Sequence, residues 1–269
     1  MVDVWKTVAM GVVEGLTEFL PVSSTGHMII VGKWIAFPEA LEKTFDVFIQ
    51  LGAILAVVLY FRVRLTEWAR TFKKAVETGQ WRSHPVVLVL VAFLPAAAVG
   101  LLTHKWIQEH LFNPLNVAIA LILGGIAIEV IERTHKTPTT MRCEEMTLNQ
   151  AIVIGCVQCL ALFPGVSRSA ATIMGGLIVG MSLPAAAEFS FFLAIPTMFA
   201  ASGYSLWKVR HTLDAELATQ LGIGFVVAFF VALAVVAAFM HYIQRNSFRP
   251  FVIYRILLGT AVLFALVAR

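Results

Sequence analysis

Long apolar blocks alternate with short polar connections along most of this sequence. A helix needs about 20 residues to cross the ~30 Å hydrocarbon core of a bilayer. Six blocks have that length, and they cover residues 44–62, 86–103, 115–131, 188–206, 221–241 and 251–268. The pattern therefore predicts six transmembrane helices and no sheet.

Two further apolar blocks are too short to span a bilayer. The first covers residues 7–22 and the second residues 148–164, and a Ser/Thr-rich break and a shorter apolar piece (28–37 and 170–181) follow each one. Sixteen helical residues at ~1.5 Å rise reach only about 25 Å. We therefore expect two re-entrant helix-loop-helix hairpins, which are tolerated in a membrane where protein or a watery cavity surrounds them.

The second half of the chain repeats the first at an offset of 144 residues. Pairs that match at this offset are Gly11 with Gly155, Phe19 with Phe163, Ser23 with Ser167 and Phe45 with Phe189. We predict a single membrane domain over residues 1–269, with one repeat over about 1–131, a linker over 132–147 and a second repeat over about 148–269. Each repeat would hold one hairpin and three spans. Because three is odd, the second repeat would be inverted in the membrane.

The composition supports a membrane protein. Hydrophobic residues make up 59% of the 269 positions and charged residues 13%, with a mean hydropathy of +0.85. These values exclude an ordinary soluble domain. The net charge of +4 is spread over the loops, so it favours contact with anionic lipid headgroups over nucleic acid. The three cysteines are too few for a disulfide framework.

The distribution of lysine and arginine predicts an orientation. Residues 62–85, 132–147 and 242–250 together hold eleven of these cations, against seven on the opposite side. Cytoplasmic loops carry the excess of positive charge. We therefore expect these three connections in the cytoplasm and both termini on the outer side of the membrane.

The stretch 14–27 (EGLTEFLPVSSTGH) concentrates polar chemistry in an apolar setting. Glu14 and Glu18 are four residues apart, so both carboxylates share one helix face. Two such charges in a low dielectric need a cation, an arginine or a shared proton. A divalent cation, Mg²⁺ or Ca²⁺, is the cofactor this pair predicts, because hard cations take oxygen ligands. The alternative is a pair of carboxylates at a solvated mouth.

The hydroxyls of Ser23, Ser24 and Thr25 follow this helix and precede the next one. Such residues cap helices, and a helix N-terminus also attracts anions. Any one of the three hydroxyls is a candidate nucleophile, with His27 as the base or acid. In the alternative interpretation, His27 is an ordinary hydrogen-bonding group.

The corresponding segment of the second repeat reads PGVSRSAAT over residues 164–172. Arg168 stands where the first repeat has Ser24, and its planar guanidinium suits phosphate oxygens. Its neighbours with hydroxyl groups are Ser167, Ser169 and Thr172. We expect the two segments to meet near the bilayer midplane. Together they supply the groups needed for phosphoryl transfer.

Both motifs resemble those of the bacterial undecaprenyl-diphosphate phosphatase family associated with bacitracin resistance. The likeness extends over nearly the whole chain, including TFDVFIQLG at 44–52 and EFSFF at 188–192. The resemblance implies an enzyme that removes the terminal phosphate of undecaprenyl diphosphate at the outer face of the inner membrane. This reaction would recycle the carrier lipid for peptidoglycan synthesis.

The resemblance also implies roles for individual residues. The acidic pair of the family falls on Glu14 and Glu18, its serine on Ser24, its histidine on His27 and its arginine on Arg168. A divalent-cation requirement of the family fits the acidic pair. Two routes stay open: attack by Ser24 with help from His27, or attack by a water that His27 and Glu18 activate.

Two other classes of function compete with hydrolysis. Inverted repeats with broken helices are typical of transporters, so a transporter or flippase for the same lipid is the main alternative. A purely structural membrane subunit is a weaker one, because buried charges are costly without a function. The sequence leaves the oligomeric state open, including a homo-oligomer.

Overall fold

A computed structural model describes residues 3–135, 137–209 and 215–267. The described part is helical and contains no strand, apart from an isolated bridge between Thr140 and Met181. The helices are α1 (Val4–Thr17), α2 (Ser24–Trp34), α3 (Glu39–Tyr60), α4 (Arg62–Glu77), α5 (Pro85–His110), α6 (Pro114–Thr134), α7 (Leu148–Gln158), α8 (Arg168–Ile178), α9 (Leu183–Val209), α10 (Ala215–Tyr242) and α11 (Arg249–Val267).

Most of the helices with 18 or more residues are also apolar enough to cross a membrane. Within the described residues, α5, α6, α9, α10 and α11 meet both requirements. Helix α3 makes a sixth candidate together with α4, which follows it after a bend of 73°. The predicted all-helical, multi-pass membrane protein is confirmed at this level.

Helix α4 was not predicted as an element, because residues 62–85 read as a polar connection. The segment is an amphipathic helix with Trp68 buried and its charged residues exposed, except for the half-buried Arg64. The Trp68 ring packs against Phe192 with the ring centroids 4.3 Å apart. A search for continuous apolar blocks does not detect a helix that is apolar on one side only.

The two short helical runs end earlier than their apolar blocks suggest. Helix α1 ends at Thr17, and α7 gives way to a 3₁₀ turn over Cys159–Leu162. Each break precedes the proline of its segment, in agreement with the bias of a residue before proline against the helical region. The following helices begin at Ser24 and Arg168, earlier than the apolar pieces at 28 and 170.

Helices of one half of the chain pack on helices of the other. Helices α1 and α3 of the first half pack on α10 of the second half. Helices α7 and α9 of the second half pack on α5 of the first half. Helix α3 also packs on α9, and α6 on α11. Glycines allow the close approach of α1 to α10, since a Cβ at Gly15 would lie 2.7 Å from the Cβ of Val231. The core is therefore shared between the halves.

Several polar contacts join the connections after α3 and α6 to the first turns of α9 at one end of the bundle. Arg64 pairs with Glu188 and lies 3.7 Å from Glu144. The Cys143 thiol donates to the carbonyl of Ala185 at 3.3 Å. Burial, aided by Glu188 and Glu144, raises the pKa of this thiol well above its usual value, so it stays protonated.

A further contact extends this end to the connection between α10 and α11. The backbone N–H of Phe248 donates to the Glu132 carboxylate at 2.9 Å. The connections that follow α3, α6 and α10 thus lie together. These are the segments that sequence analysis groups on one side of the membrane.

Candidate active site

The first break, which we call tip 1 (residues 18–27), is shaped by an unusual serine backbone. Ser23 has a φ of 72°, and its hydroxyl accepts from the Gly26 N–H at 3.4 Å. Residues other than glycine seldom adopt positive φ, and those that do concentrate at functional sites. The turn starts α2 at Ser24, so the free N–H groups of that helix face the break.

The second break, tip 2 (residues 162–172), repeats this geometry. Ser167 has a φ of 76°, and its hydroxyl accepts from the Ala170 N–H at 3.3 Å. Gly165 also has a positive φ, of 94°, and a Cβ there would lie 2.7 Å from the carbonyl oxygen of Val117. Tip 2 therefore requires a glycine where it passes α6.

The carboxylate of Glu18 joins the two tips. Its Oε2 accepts from the Ser24 hydroxyl at 2.5 Å, and its Oε1 accepts from Arg168 Nη2 at 3.3 Å. Arg168 also donates from Nη1 to the carbonyl of Ser190 at 3.1 Å. Hydrogen bonds to ionised partners are shorter and stronger than neutral ones. The arrangement presents a hydroxyl, a base and a fixed cation side by side.

Glu14 lies one helical turn before Glu18 and is 3% exposed. Its Oε1 has no hydrogen-bond partner in the described structure. Glu18, Asp46 and Arg168 all interact with it electrostatically. An unpaired buried carboxylate is costly unless a proton or a cation accompanies it. Among the described residues, no group of three or more His, Cys, Asp and Glu side chains is placed to hold a metal ion. A cation at this site would therefore have only the carboxylates of Glu14 and Glu18 as acidic ligands.

His27 is held on both ring nitrogens. Nδ1 lies 2.8 Å from the Ser23 carbonyl, which can only accept, so Nδ1 carries the proton in the neutral ring. Nε2 then accepts from the Tyr254 hydroxyl at 2.5 Å, and the two rings stack with their planes 5° apart. Neither nitrogen bonds to Ser24 in the described contacts. The structure places Glu18, rather than His27, at the hydroxyl of this serine.

A cavity of about 170 Å³ lies between the two tips. Six of the predicted site residues line it: Glu18, Ser23, Ser24, Thr25, Ser167 and Arg168. Phe112, from the connection between α5 and α6, also lines it. The cavity therefore lies toward the end of the bundle opposite the Arg64 contacts.

Four predicted site residues lie outside this lining: Glu14, His27, Ser169 and Thr172. Ser169 donates to the carbonyl of Leu20 at 2.8 Å and thereby links tip 2 to tip 1. The Thr172 hydroxyl lies 2.6 Å from that of Ser190 on α9. These two hydroxyls therefore belong to contacts that join tip 2 to tip 1 and to α9.

Sequence reasoning missed Gln50 and Thr197 of the cavity wall, and the adjacent pair Tyr254 and Arg255 of α11. All four lie within predicted spans, where the apolar average concealed them. Arg255 carried a usable signal, because an ionisable residue inside a span suggests a functional site by default. No sequence signal connects Tyr254 with His27.

Known proteins resemble this chain along nearly its whole length. Residues 7–261 match the family described as Bacitracin resistance protein BacA. An undecaprenyl-diphosphatase of Rhizorhabdus wittichii is 50% identical over 267 residues, which cover 97% of each chain. One from Caldanaerobacter subterraneus is 48% identical and covers 96% of this chain and 94% of its own. Undecaprenyl-diphosphatase 3 of Acinetobacter baylyi is 43% identical and covers 98% of both. The chain belongs to the BacA family.

Proposed function

We propose that this protein hydrolyses undecaprenyl diphosphate to undecaprenyl phosphate and inorganic phosphate. The observation that carries the proposal is the 2.5 Å hydrogen bond from the Ser24 hydroxyl to Glu18, in a cavity that Arg168 also lines. A hydroxyl bonded to a base, beside a fixed cation, is the arrangement that phosphoryl transfer to a protein nucleophile needs. The names of the relatives at 43–50% identity agree with this substrate.

The diphosphate headgroup fits between the two tips. Arg168 Nε is buried and has no partner in the described structure, so it remains available to donate to a phosphate oxygen. Ser23, Thr25 and Ser167, which each carry a hydroxyl, line the same cavity. Helices α2 and α8 both begin at these tips, and their N-terminal N–H groups favour an anion. Ser169 and Thr172 hold tip 2 in place for this contact.

In the favoured route, the Ser24 oxygen attacks the terminal phosphorus and its proton passes to Glu18. The bond from that phosphorus to the bridging oxygen breaks, and undecaprenyl phosphate leaves. Water then cleaves the phosphoserine and releases inorganic phosphate. In the other route, Glu18 and His27 activate water, and Ser24 only binds the headgroup. Proton transfer by His27 requires that Nε2 exchange Tyr254 for water or substrate.

Glu14 and Glu18 are the residues that would hold a divalent cation, Mg²⁺ or Ca²⁺. The unpartnered, buried Oε1 of Glu14 supports this assignment. Mg²⁺ is commonly bound by one or two carboxylates together with substrate phosphates. When bound, such a cation supplies positive charge to the phosphoryl oxygens.

The experiment is phosphate release from undecaprenyl diphosphate by the detergent-purified protein. We expect turnover, and we expect Glu18→Gln to lower it by about 10²–10³-fold. Glu67→Gln, an exposed carboxylate of α4, is the matched control and should keep it. Detergent removes gradients and leaflets, so this assay separates hydrolysis from the alternative of lipid transport. Absence of phosphate release by the parent protein would contradict the proposal.

We further propose that the two halves are inverted repeats, each with a re-entrant hairpin and three spans. The reciprocal packing of α1 on α10 and of α7 on α5 supports this arrangement. The cavity then opens to the periplasm of the inner membrane, and residues 62–85 face the cytoplasm. Impermeant thiol labelling of Lys74→Cys in a variant without native cysteines tests the orientation. Efficient labelling from outside intact cells would contradict it.

In the cell, the proposed reaction returns carrier lipid to peptidoglycan synthesis. The family description includes bacitracin resistance, and we propose that this chain confers it. Overproduction should raise the bacitracin concentration that a bacterial host tolerates, whereas overproduced Glu18→Gln should not.

A further inference from the structure

Arg255 of α11 is a fully buried arginine, with a relative exposure of 0%. No carboxylate pairs with it among the described residues. It is also absent from the lining of the cavity between the tips. A buried guanidinium is costly unless hydrogen bonds satisfy it. The partners of Arg255 therefore indicate what it is for.

All five N–H groups of this side chain have a backbone carbonyl to which to donate. Nη1 donates to the carbonyls of Pro21 and Val166, and Nη2 to those of Gly165 and Ala120. Nε donates to the carbonyl of Leu121, and the five distances lie between 3.0 and 3.3 Å. Five is the full donor capacity of an arginine. The bonds therefore use up the guanidinium and leave no N–H for a substrate.

These carbonyls come from three separate parts of the chain. Pro21 belongs to tip 1, and Gly165 and Val166 belong to tip 2. A single nitrogen, Nη1, joins the two tips at 3.0 Å to each carbonyl. The remaining carbonyls, on α6, hold the guanidinium against a neighbouring helix.

Helix α6 is adapted to this side chain. Gly124 faces the guanidinium, and a Cβ there would lie 3.0 Å from its central carbon. A methyl group at this position would force Arg255 to move. The five hydrogen bonds of Arg255 are called the Arg255 clamp below. A substitution of Gly124 thus provides a way to disturb the clamp without changing the arginine.

We propose that Arg255 is a positioning residue that fixes tip 1 and tip 2 relative to each other. Both tips hold a serine at positive φ, and such strain persists only where the surroundings over-determine it. Irregular backbone at membrane depth also needs partners for its carbonyls. Arg255 meets both requirements, and it keeps Ser24 on tip 1 in register with Arg168 on tip 2.

The test measures the distance between two positions that each lie two residues before a tip, Leu16 before tip 1 and Leu160 before tip 2. Spin labels replace Leu16 and Leu160, which are exposed and match at the offset of 144 residues, in a variant without native cysteines. Pulsed dipolar spectroscopy then gives the distance distribution. We expect one narrow distribution in the parent and a broader or shifted one in Arg255→Lys, because an ammonium has three donors and cannot serve five carbonyls. Arg249→Lys, at an exposed position of the same helix, is the control and should match the parent.

Gly124→Ala supplies a second, independent variant. It keeps Arg255 and should broaden the distribution in the same way, so it decides the question if Arg255→Lys does not fold. Parent-like distributions in Arg255→Lys and Gly124→Ala would overturn the proposal. If only one of the two variants folds, a parent-like distribution in that variant would also overturn the proposal.

The effect on turnover rests on the proposed function. We expect Arg255→Lys to lower kcat by about 10²-fold, the size of loss that a misplacement of about 1 Å causes, with a smaller change in KM because the headgroup ligands remain. If the parent releases no phosphate but the distance distribution still responds, the proposed function fails and the clamp stands. If kcat falls while the distribution stays as in the parent, the clamp is contradicted and the proposed function stands.

Discussion

The two tips share a backbone but not a chemistry. Ser23 and Ser167 adopt φ values of 72° and 76°, and each caps the helix that follows. Around these matching turns, the side chains at equivalent positions differ: Glu14 with Gln158, Glu18 with Leu162, Ser24 with Arg168 and His27 with Ala171. The turn therefore does not depend on the acids or the imidazole. One tip carries the hydroxyl and the base, and the other carries the cation.

Gln158 shows how far the specialisation goes. It is 2% exposed, and neither atom of its amide has a hydrogen-bond partner in the described structure. A neutral amide at the position of Glu14 keeps the shape of a carboxylate and removes the charge. Tip 2 is thus built like tip 1 but cannot offer the same acidic pair.

The largest expected effect is that of Ser24→Ala in tip 1. If Ser24 is the nucleophile, as we expect, kcat should fall by about 10⁴-fold or more. Ser83→Ala, at an exposed position, is the control. Rapid acid quenching of the parent with terminally labelled diphosphate should trap a labelled protein. An unlabelled protein together with a near-normal kcat in Ser24→Ala would instead indicate attack by water.

The acidic pair should come next. Glu18→Gln and Glu14→Gln should each lower kcat by about 10²–10³-fold, the cost of losing one preorganised charge-stabilising group. Chelation with EDTA should abolish the activity of the parent, and added Mg²⁺ or Ca²⁺ should restore it. Full activity in saturating EDTA would show that the carboxylates act only as bases.

The variant Arg168→Lys tests whether tip 2 contributes only the positive charge of Arg168 or also its planar geometry. A lysine keeps the charge but loses the planar fork and the free Nε donor. We expect kcat/KM to fall by about 10-fold to 10²-fold, the cost of one or two charge-assisted hydrogen bonds. Arg133→Lys, at the far end of α6, should have no effect. Steady-state kinetics of both variants decides whether tip 2 supplies geometry as well as charge.

Tyr254→Phe should have a small effect. It removes one hydrogen bond to His27, worth about 1 kcal/mol or roughly fivefold. We expect a change of that size in kcat, and a change in the ¹⁵N shift of Nε2 because this nitrogen loses its donor. An unchanged nitrogen spectrum would mean that the two side chains do not bond in the membrane.

Ser23→Gly and Ser167→Gly should have the smallest effects, and their effects on stability should be alike. Glycine relieves the positive φ but loses a cap, which costs only a few tenths of a kcal/mol when glycine replaces serine. Thermal unfolding in detergent should show small Tm shifts of the same sign. Opposite shifts would mean that the equivalence of the tips is only geometric.

The sequence predicted the long apolar helices, because a bilayer imposes apolar length, and it predicted the breaks after α1 and α7 from their proline and hydroxyl residues, but it did not predict α4. It predicted that Ser24, Glu18 and Arg168 carry the chemistry. It did not predict that Glu18 bonds to Ser24, because His27 is the more familiar base and lies only three residues from this serine.

Contacts between distant residues account for most of what was missed. Tyr254 meets His27 across 227 residues, and Arg168 meets Glu18 across 150. Helical periodicity relates residues within a few turns and carries no information on such pairs. Arg255 was overlooked for a different reason, because one charge hardly changes the average hydropathy of an apolar span.

The contact between Arg168 and Glu18 means that a phosphate group has to compete with the Glu18 carboxylate for the guanidinium of Arg168. The Glu18 carboxylate accepts a hydrogen bond from Nη2 of the guanidinium. In the proposed reaction, a phosphate that takes over this nitrogen would displace Glu18 from Arg168, while the other carboxylate oxygen keeps its hydrogen bond from Ser24. In the proposed reaction the same contact would oppose the binding of substrate and products alike, and an inhibitor aimed at Arg168 has to outcompete a ligand that the protein already carries.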